Sequence, residues 1–214
     1  MLTFAEEIFL LALDDHQGMV KQLSGLAIGD ALVGALLMEL AMLDRVDTDL
    51  KGLRVVDTAP TGDALLDETL KEMSGHRESQ PVSRWLMTLS SHAQQIQDKV
   101  LAGLIAKGIL KQENHKILWV FEVRRYPAID NHEIKEVKIR LRELILSNDL
   151  PDPRDAVLIS LVAACRLFNE IFTSRELEKV QPRIAQLAKL DLIGQEVAKS
   201  IREIEQAMVL PMMM

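Results

Sequence analysis

The stretch from Val100 to Arg125, VLAGLIAKGILKQENHKILWVFEVRR, predicts a helix that ends at a glycine and is followed by a β-hairpin. The apolar residues before the glycine keep helical spacing. Lys107 and Gly108 place a cation in the last turn and then a residue that is free to adopt positive φ. The pattern predicts a first strand directly after the glycine, a polar turn over residues 112–116 and a returning strand over residues 117–123.

The predicted returning strand carries an unbroken apolar run. A half-buried strand alternates apolar and polar residues, because successive side chains point to opposite faces. An unbroken run predicts that both faces are covered. Burial within the protein is the common explanation, and contact of one face with a partner or a membrane is the alternative. The run consists of Ile117, Leu118, Trp119, Val120 and Phe121.

The composition is that of a globular protein with an aliphatic core. Of the 214 residues, 48% are hydrophobic and only 4% aromatic. The longest apolar segment, Leu26 to Leu43, contains Asp30 and Glu39, so it predicts a buried helix and not a membrane span. One cysteine and an acidic N-terminus without a basic region predict a cytoplasmic protein, or one on the cytoplasmic face of a membrane.

Charge is distributed unevenly along the chain. Residues 1–50 hold nine acids and two bases, which accounts for the whole net charge of −7. Residues 99–142 hold ten bases and five acids, and this basic segment includes the apolar run. Such asymmetry suggests a basic surface that faces an anionic partner, unless the charges intermix on the folded surface.

The remaining chain predicts a mainly α fold, with one compact helical domain over residues 1–210, an amphipathic β-hairpin and a second small hairpin. Capping boxes at Thr3 and Thr173 each open a helix. Residues 45–57 predict the small hairpin, and Asn131 is expected to cap a helix over residues 132–146. Residues 156–168 predict one apolar helix, and Pro182 predicts two short helices or a kink.

The sequence lacks the motifs of common active sites. It has no glycine-rich phosphate loop, no HExxH and no paired cysteines, and its five histidines are scattered. Cys165 lies in an apolar segment and is expected in the core, where burial raises a thiol pKa. Asp63 and Asp67 lie one helical turn apart, and stabilising the start of their own helix is favoured over holding a cation. These observations predict a non-enzymatic protein without a metal or other cofactor.

Two physical interpretations of the hairpin segment follow. In a winged helix, the helix before the hairpin would present a polar recognition face, although the acidic chain and Asp98 in that helix argue against DNA binding. In a membrane-surface module, the apolar run would enter the headgroup region while nearby cations meet anionic lipid. The recognition face would comprise Gln94, Gln95, Gln97 and Lys99, and the lipid-facing cations Lys116, Arg124, Arg125 and those of residues 135–142.

Several stretches, taken together and in order, resemble the Golgi phosphoprotein 3 family. The most specific is DTAPTGDALLDETLK at 57–71. The others are LTFAEEIFLLALDD at 2–15, GALLMELAMLDRV at 34–46, LIAKGILKQENHKILWVFEV at 104–123, and the segments DPRDAVLISLVAA and LAKLDLIGQEV nearer the C-terminus.

The resemblance implies a mainly helical domain with an amphipathic hairpin at about residues 113–124. In eukaryotic members this hairpin inserts into the membrane and takes part in oligomerisation. Those members bind phosphatidylinositol 4-phosphate and retain glycosylation enzymes in the Golgi. The resemblance therefore implies a cytosolic, peripheral membrane adaptor that binds a phosphoinositide.

The lipid-contacting side chains of that family are replaced in this sequence. Two family arginines that lie three residues apart fall on Gln94 and Gln97, a tryptophan falls on Leu23 or Ser24, and a further arginine falls on Val33. Two glutamines offer only neutral donors where two arginines would clamp a phosphate. Lys99, Lys107, Arg124 and Arg125 are expected to serve a looser anionic site. These departures, and the expected absence of a long disordered N-terminal extension, are typical of a bacterial relative.

The leading hypothesis is therefore a peripheral membrane protein of this family whose phosphoinositide specificity is lost. The alternative is a protein-interaction or oligomerisation module that uses the same hairpin. A winged-helix nucleic-acid binder ranks third.

Overall fold

The computed structural model describes residues 1–14, 19, 28–49, 51–76, 78–117 and 121–209, and only the backbone at 114–117, 121–124, 202 and 204–209. The described chain is mainly helical, with two antiparallel hairpins. The helices are α1 (Phe4–Ala12), α2 (Ile28–Met42), α3 (Ala64–Ser74), α4 (Val82–Ser90), α5 (Ala93–Ala106), α6 (His132–Leu146), α7 (Pro153–Ala164), a short 3-10 helix (Leu167–Glu170), α8 (Ser174–Leu187) and α9 (Leu192–Val209). The strands are β1 (Val46–Asp49), β2 (Gly52–Val55), β3 (Glu113–Ile117) and β4 (Phe121–Arg125).

Helix α2 is the centre of the bundle. Every residue from Gly29 to Leu40 is buried, and α2 contacts α1, α3, α4, α5, α7 and α9. A helix that is apolar on nearly every side is expected at such a position, and this prediction is confirmed. Its two buried carboxylates both have partners, because Ser90 donates to Asp30, and Glu39 accepts from the Phe4 amide at 2.6 Å.

Both predicted capping boxes are present. Thr3 Oγ1 accepts from the Glu6 amide at 3.3 Å, and the Thr3 amide donates to Glu6 Oε2 at 2.9 Å. Thr173 and Glu176 make the same reciprocal pair at 3.4 and 2.9 Å. The predicted small hairpin is also confirmed, with Val46 opposite Val55 in the β1–β2 ladder.

At Pro182 the structure corrects one of the two predicted alternatives, the two short helices. One continuous helix, α8, contains Pro182. Pro182 lies on the exposed side, while Ile184 and Leu187 are buried, so packing of the apolar side outweighs the hydrogen bond that a proline removes.

Two helix ends also differ from prediction. The Asn131 side chain makes no cap hydrogen bond, and Asp130 Oδ1 instead accepts from the His132 amide at 3.0 Å. The apolar helix predicted over residues 156–168 ends at Ala164, because Arg166 adopts a left-handed conformation with φ of 57° and starts the short 3-10 helix. Cys165 is 3% exposed, as expected for a core cysteine.

Candidate membrane hairpin and headgroup region

The segment that joins α5 to β3, here called the hairpin root, begins at Gly108 and is positioned by the end of α5. The Gly108 amide donates to the Ile105 carbonyl at 2.9 Å, and the Ile109 amide to the Leu104 carbonyl at 3.0 Å. Gly108 has a φ of 72°, and a Cβ there would meet nothing within 4 Å. The glycine is therefore needed for its backbone conformation and not for close packing. This confirms the predicted helix stop.

The root is fastened into the core before the strands begin. Ile109 and Leu110 are buried, and Leu110 forms a bridge with Ala128. The Ile129 amide donates to the Ile109 carbonyl at 2.9 Å, and the Lys111 amide to the Pro127 carbonyl at 3.1 Å. The hairpin therefore extends from two paired backbone segments, residues 109–111 and 127–129. Ile109 and Leu110 of these segments are part of the hydrophobic core.

The hairpin register differs from the sequence prediction. Residues 113–117 form β3, where a polar turn was predicted, and β4 begins only at Phe121. Ile117 pairs with Phe121 across the ladder, so the apolar run does not lie on one strand. The prediction that both faces of one apolar strand are covered is therefore wrong. Leu118, Trp119 and Val120 fall outside the described residues.

The alternation along the ladder divides the hairpin positions into two faces. Glu113, His115 and Ile117 alternate onto one face, opposite Arg125, Val123 and Phe121. Asn114 and Lys116 occupy the other face, opposite Arg124 and Glu122. The register therefore assigns the apolar residues Ile117, Phe121 and Val123 to positions of one face, towards the closed end of the ladder. The five-residue β3 carries Ile117 about 13 Å from Glu113.

Arg125 lies at the base of this ladder. It is half-buried, and its Nε has no hydrogen-bond partner among the described residues. Its ladder partner Glu113 also forms an ion pair with Lys111 at 2.8 Å.

The four candidate headgroup residues on α5 do not form one cluster. Gln94 is exposed and donates to Asp98 at 3.0 Å, and Gln97 is half-buried. Lys99 pairs with Glu68 on α3, whereas Lys107 contacts both carboxylate oxygens of Glu6. Thirteen residues of helix separate Gln94 from Lys107, a rise of about 20 Å. The glutamines therefore lie at one end of α5 and Lys107 at the other, beside the hairpin root.

The glutamine end of α5 packs against the start of α2. A Cβ on Gly29 would lie 2.3 Å from the Ala93 Cβ, so the two helices can approach this closely only with glycine at that position. Val33, where the resemblance places an arginine, is fully buried in the core. Leu23 and Ser24 fall outside the described residues.

An ion network that the sequence analysis did not predict lies beside the hairpin root. Arg154 donates to Glu39 Oε1 at 2.8 Å and to the Leu2 carbonyl at 2.6 Å, and Arg140 donates to Glu7. Burial raises the pKa of Glu7, although both arginines oppose that shift. The network borders a cavity of about 750 Å3 that Lys107 and Ile109 also line. The sequence feature that could have indicated this network is the pair of adjacent carboxylates, Glu6 and Glu7, within the otherwise apolar first helix.

The most specific family stretch forms a hydrogen-bonded loop. Asp63 caps α3 by accepting from the amides of Leu65 and Leu66 at 2.9 and 3.0 Å, and Asp67 Oδ1 accepts from the Thr61 amide at 2.6 Å. These carboxylates serve the start of their own helix, as favoured above. In the described part of the chain, no group of three histidine, cysteine or acidic side chains is arranged to hold a metal ion.

His76, His92 and His132 are exposed, whereas His16 and the His115 side chain fall outside the described residues. Among the described helices, none combines the length and apolar character that a bilayer crossing requires.

Comparison with known proteins agrees with the resemblance. The sequence profile of the family described as Golgi phosphoprotein 3 (GPP34) matches residues 4–204. Vacuolar protein sorting-associated protein 74 of Eremothecium gossypii is 29% identical over 170 residues, which cover 70% of this chain. The match covers 50% of that relative, so the chain spans about half the length of the curated relative it matches. The profile match extends over nearly all of the chain, and the chain belongs to the Golgi phosphoprotein 3 family.

Proposed function

We propose that this protein is a non-enzymatic peripheral adaptor that attaches to the cytoplasmic face of an anionic membrane through its β3–β4 hairpin. The carrying observation is the pairing of Ile117 with Phe121, which brings both ends of the apolar run together at the closed end of the ladder. An apolar hairpin end that carries a tryptophan suits the headgroup region of a bilayer. The relative's name associates that protein with vacuolar protein sorting, which is consistent with an adaptor role.

The firmly held base supports this assignment. Because Ile109 and Leu110 are buried, the hairpin is held by the core at its base. Insertion then requires little reorganisation of the protein, which lowers the entropic cost of binding. Lys116 and Arg124 occupy positions on the other face of the ladder from Ile117 and Phe121, where Lys116 stands opposite Glu122. Their positive charge favours anionic lipid.

The candidate headgroup residues on α5 favour general attachment to anionic lipid over recognition of one phosphoinositide. Gln94 donates to Asp98, and Lys99 is paired with Glu68. A phosphate there would meet neutral amides and a neutralised lysine in place of two guanidinium groups. The same features offer little positive charge to a nucleic-acid backbone, so the winged-helix hypothesis gains no support from this surface.

Co-sedimentation with liposomes tests the proposal. The purified chain is mixed with vesicles of phosphatidylcholine alone, with added phosphatidylserine, or with added phosphatidylinositol 4-phosphate at equal total charge. We expect binding to both anionic vesicles and little to the neutral one. A strong preference for the phosphoinositide would contradict the loss of specificity, and no binding to any vesicle would contradict membrane attachment.

A charge placed in the hairpin identifies the anchor. Trp119→Glu is expected to weaken vesicle binding about tenfold or more, because a carboxylate replaces an apolar ring in the interfacial region. Met87→Glu is the matched control, since Met87 is 71% exposed on α4 and receives the same charge away from the hairpin. Equal binding by folded Trp119→Glu and wild-type protein would exclude the hairpin as the anchor.

Self-association through the hairpin is the second candidate function. The described β3–β4 sheet has two strands, so each strand has an outer edge that a second copy can extend. Light scattering over a range of concentrations measures this directly. Oligomers that Trp119→Glu dissociates, in a protein that does not bind vesicles, would favour this function over membrane attachment.

A further inference from the structure

The β3–β4 ladder places a histidine among the apolar positions of the hairpin. His115 stands opposite Val123, and the next pair on the same face, towards the closed end, is Ile117 opposite Phe121. Alternation along each strand assigns these four positions to one face of the ladder. A titratable residue therefore occupies a position on the face that carries the apolar residues.

The register also sets the depth of position 115 in a membrane that the closed end enters. An apolar element bound at an interface is buried about 5–10 Å into the boundary between headgroups and acyl chains. Two residues of antiparallel strand separate His115 from Ile117, which is about 7 Å along the ladder. When the pair of Ile117 and Phe121 reaches that boundary, position 115 remains at the level of the lipid headgroups.

The charged positions at the same level carry a small net positive charge when the imidazole of His115 is neutral. Lys116 stands opposite Glu122, and Arg124 stands opposite Asn114. Two cations and one carboxylate leave one net positive charge at this level. Protonation of the imidazole raises the net charge from one to two, which increases the attraction to anionic lipid.

The other charged residues near position 115 lie at the base of the ladder. Glu113 stands opposite Arg125, one step back on the same face, and forms an ion pair with Lys111 at 2.8 Å. β3 packs chiefly against β4. Histidine is the side chain whose ordinary titration falls between about pH 5 and 8, and His115 is the one histidine in residues 111–125. It is therefore the residue through which mild acidification changes the charge of the hairpin.

Two histidines outside the ladder have different surroundings. His92 Nδ1 lies 3.6 Å from a carboxylate oxygen of Glu72, and His132 Nδ1 lies 3.8 Å from one of Glu136. Each stands at the start of a helix, whereas the ladder partner of His115 is an apolar residue. His132 therefore provides a control position that undergoes the same change of charge away from the ladder.

We infer that His115 makes membrane attachment sensitive to pH, so that protonation of its imidazole strengthens binding of the hairpin to anionic lipid; this inference rests on the proposed function. The added cation meets phosphate and carboxylate groups at headgroup level, so its effect is electrostatic and is screened by salt. Neutral lipid provides no such attraction, and protonation there does not strengthen binding.

Co-sedimentation of the full chain with vesicles at about pH 7.5 and about pH 5.5 tests the inference. On vesicles of phosphatidylcholine with phosphatidylserine, wild type should bind about three- to fivefold more tightly at the lower pH. Phosphatidylcholine alone should show no such gain. His115→Gln should bind as wild type does at the higher pH and lose the gain. His115→Lys should bind at the higher pH as tightly as wild type does at the lower one.

The matched control is His132→Gln, which removes an imidazole that is 75% exposed and should keep the full gain. An equal gain in wild type and His115→Gln would overturn the inference and leave membrane attachment in place. A gain that His132→Gln abolishes, or that added salt does not reduce, would also overturn it. Absence of binding at both pH values would contradict the proposed function and this inference together. Binding that occurs only at the lower pH and is lost in His115→Gln would support the inference.

Discussion

Lys107 Nζ lies 2.6 and 2.7 Å from the two carboxylate oxygens of Glu6, and this pair joins the end of α5 to the first turn of α1. The Glu6 side chain is 7% exposed, whereas that of Lys107 is 43% exposed. The pair lies one residue before the glycine at which the hairpin root begins. It therefore connects the β3–β4 hairpin to the N-terminal helix of the bundle.

Removing this cation should destabilise the fold. In Lys107→Met the Glu6 carboxylate stays buried without its lysine, which we expect to cost about 1–3 kcal/mol of unfolding free energy. Lys111→Met is the matched control, because Lys111 pairs with Glu113 at a more exposed site. That change should cost about 0–1 kcal/mol. Urea denaturation measures both, and equal costs would contradict the structural role of the Lys107–Glu6 pair.

Stability should depend on pH through Glu176. Hydrogen bonds from Arg142 and then Thr173 lower its pKa from 4.5 to about 2. A carboxyl group with a lowered folded-state pKa stabilises the fold above its unfolded pKa, and this contribution is lost as pH falls from about 4.5 towards about 2. Wild type should therefore exceed Glu176→Gln in denaturation midpoint at pH 7, and the difference should disappear near pH 2. Glu178→Gln, at an exposed position in the same helix, should show no such dependence.

Two glycines should respond differently to alanine. Gly52 has a φ of 142°, and a Cβ there would lie 2.0 Å from the Gln80 carbonyl oxygen. Gly108 has a φ of 72° and open space around it. We expect Gly108→Ala to cost about 1–2 kcal/mol from backbone conformation alone. Gly52→Ala should cost about 3 kcal/mol or more, because a backbone clash adds to the strain. Thermal and urea unfolding compare them, and equal losses would contradict the packing argument.

Arginines at the candidate headgroup residues Gln94 and Gln97 should produce a preference for phosphatidylinositol 4-phosphate. Gln94→Arg combined with Gln97→Arg places two guanidinium groups at the positions where the resemblance implies arginines. We expect binding to vesicles with phosphatidylinositol 4-phosphate to rise about tenfold relative to phosphatidylserine vesicles, since charge-assisted forks recognise phosphate. Gln181→Arg with Gln186→Arg adds the same charge at exposed positions on α8. An equal rise in that control would show that only net charge matters.

Sequence reasoning placed the helices well where the signals are local. The capping boxes at Thr3 and Thr173 depend on residues three apart, and the buried α2 depends on its own apolar composition. The two short helices predicted at Pro182 are wrong, because the packing of Ile184 and Leu187 outweighs a local preference. The resemblance located the hairpin at residues 113–124, closer to the structure than the strand pattern did.

The sequence by itself therefore determined the helical class, the glycine stop before the hairpin and the family, because these depend on neighbouring residues or on ordered motifs. Only the tertiary structure decided that Ile117 pairs with Phe121, since ladder register depends on which strands meet and not on the apolar run alone. It also decided that Arg154 reaches Glu39, and that Lys107 reaches Glu6. These contacts join residues more than a hundred positions apart, and no local pattern encodes such distances.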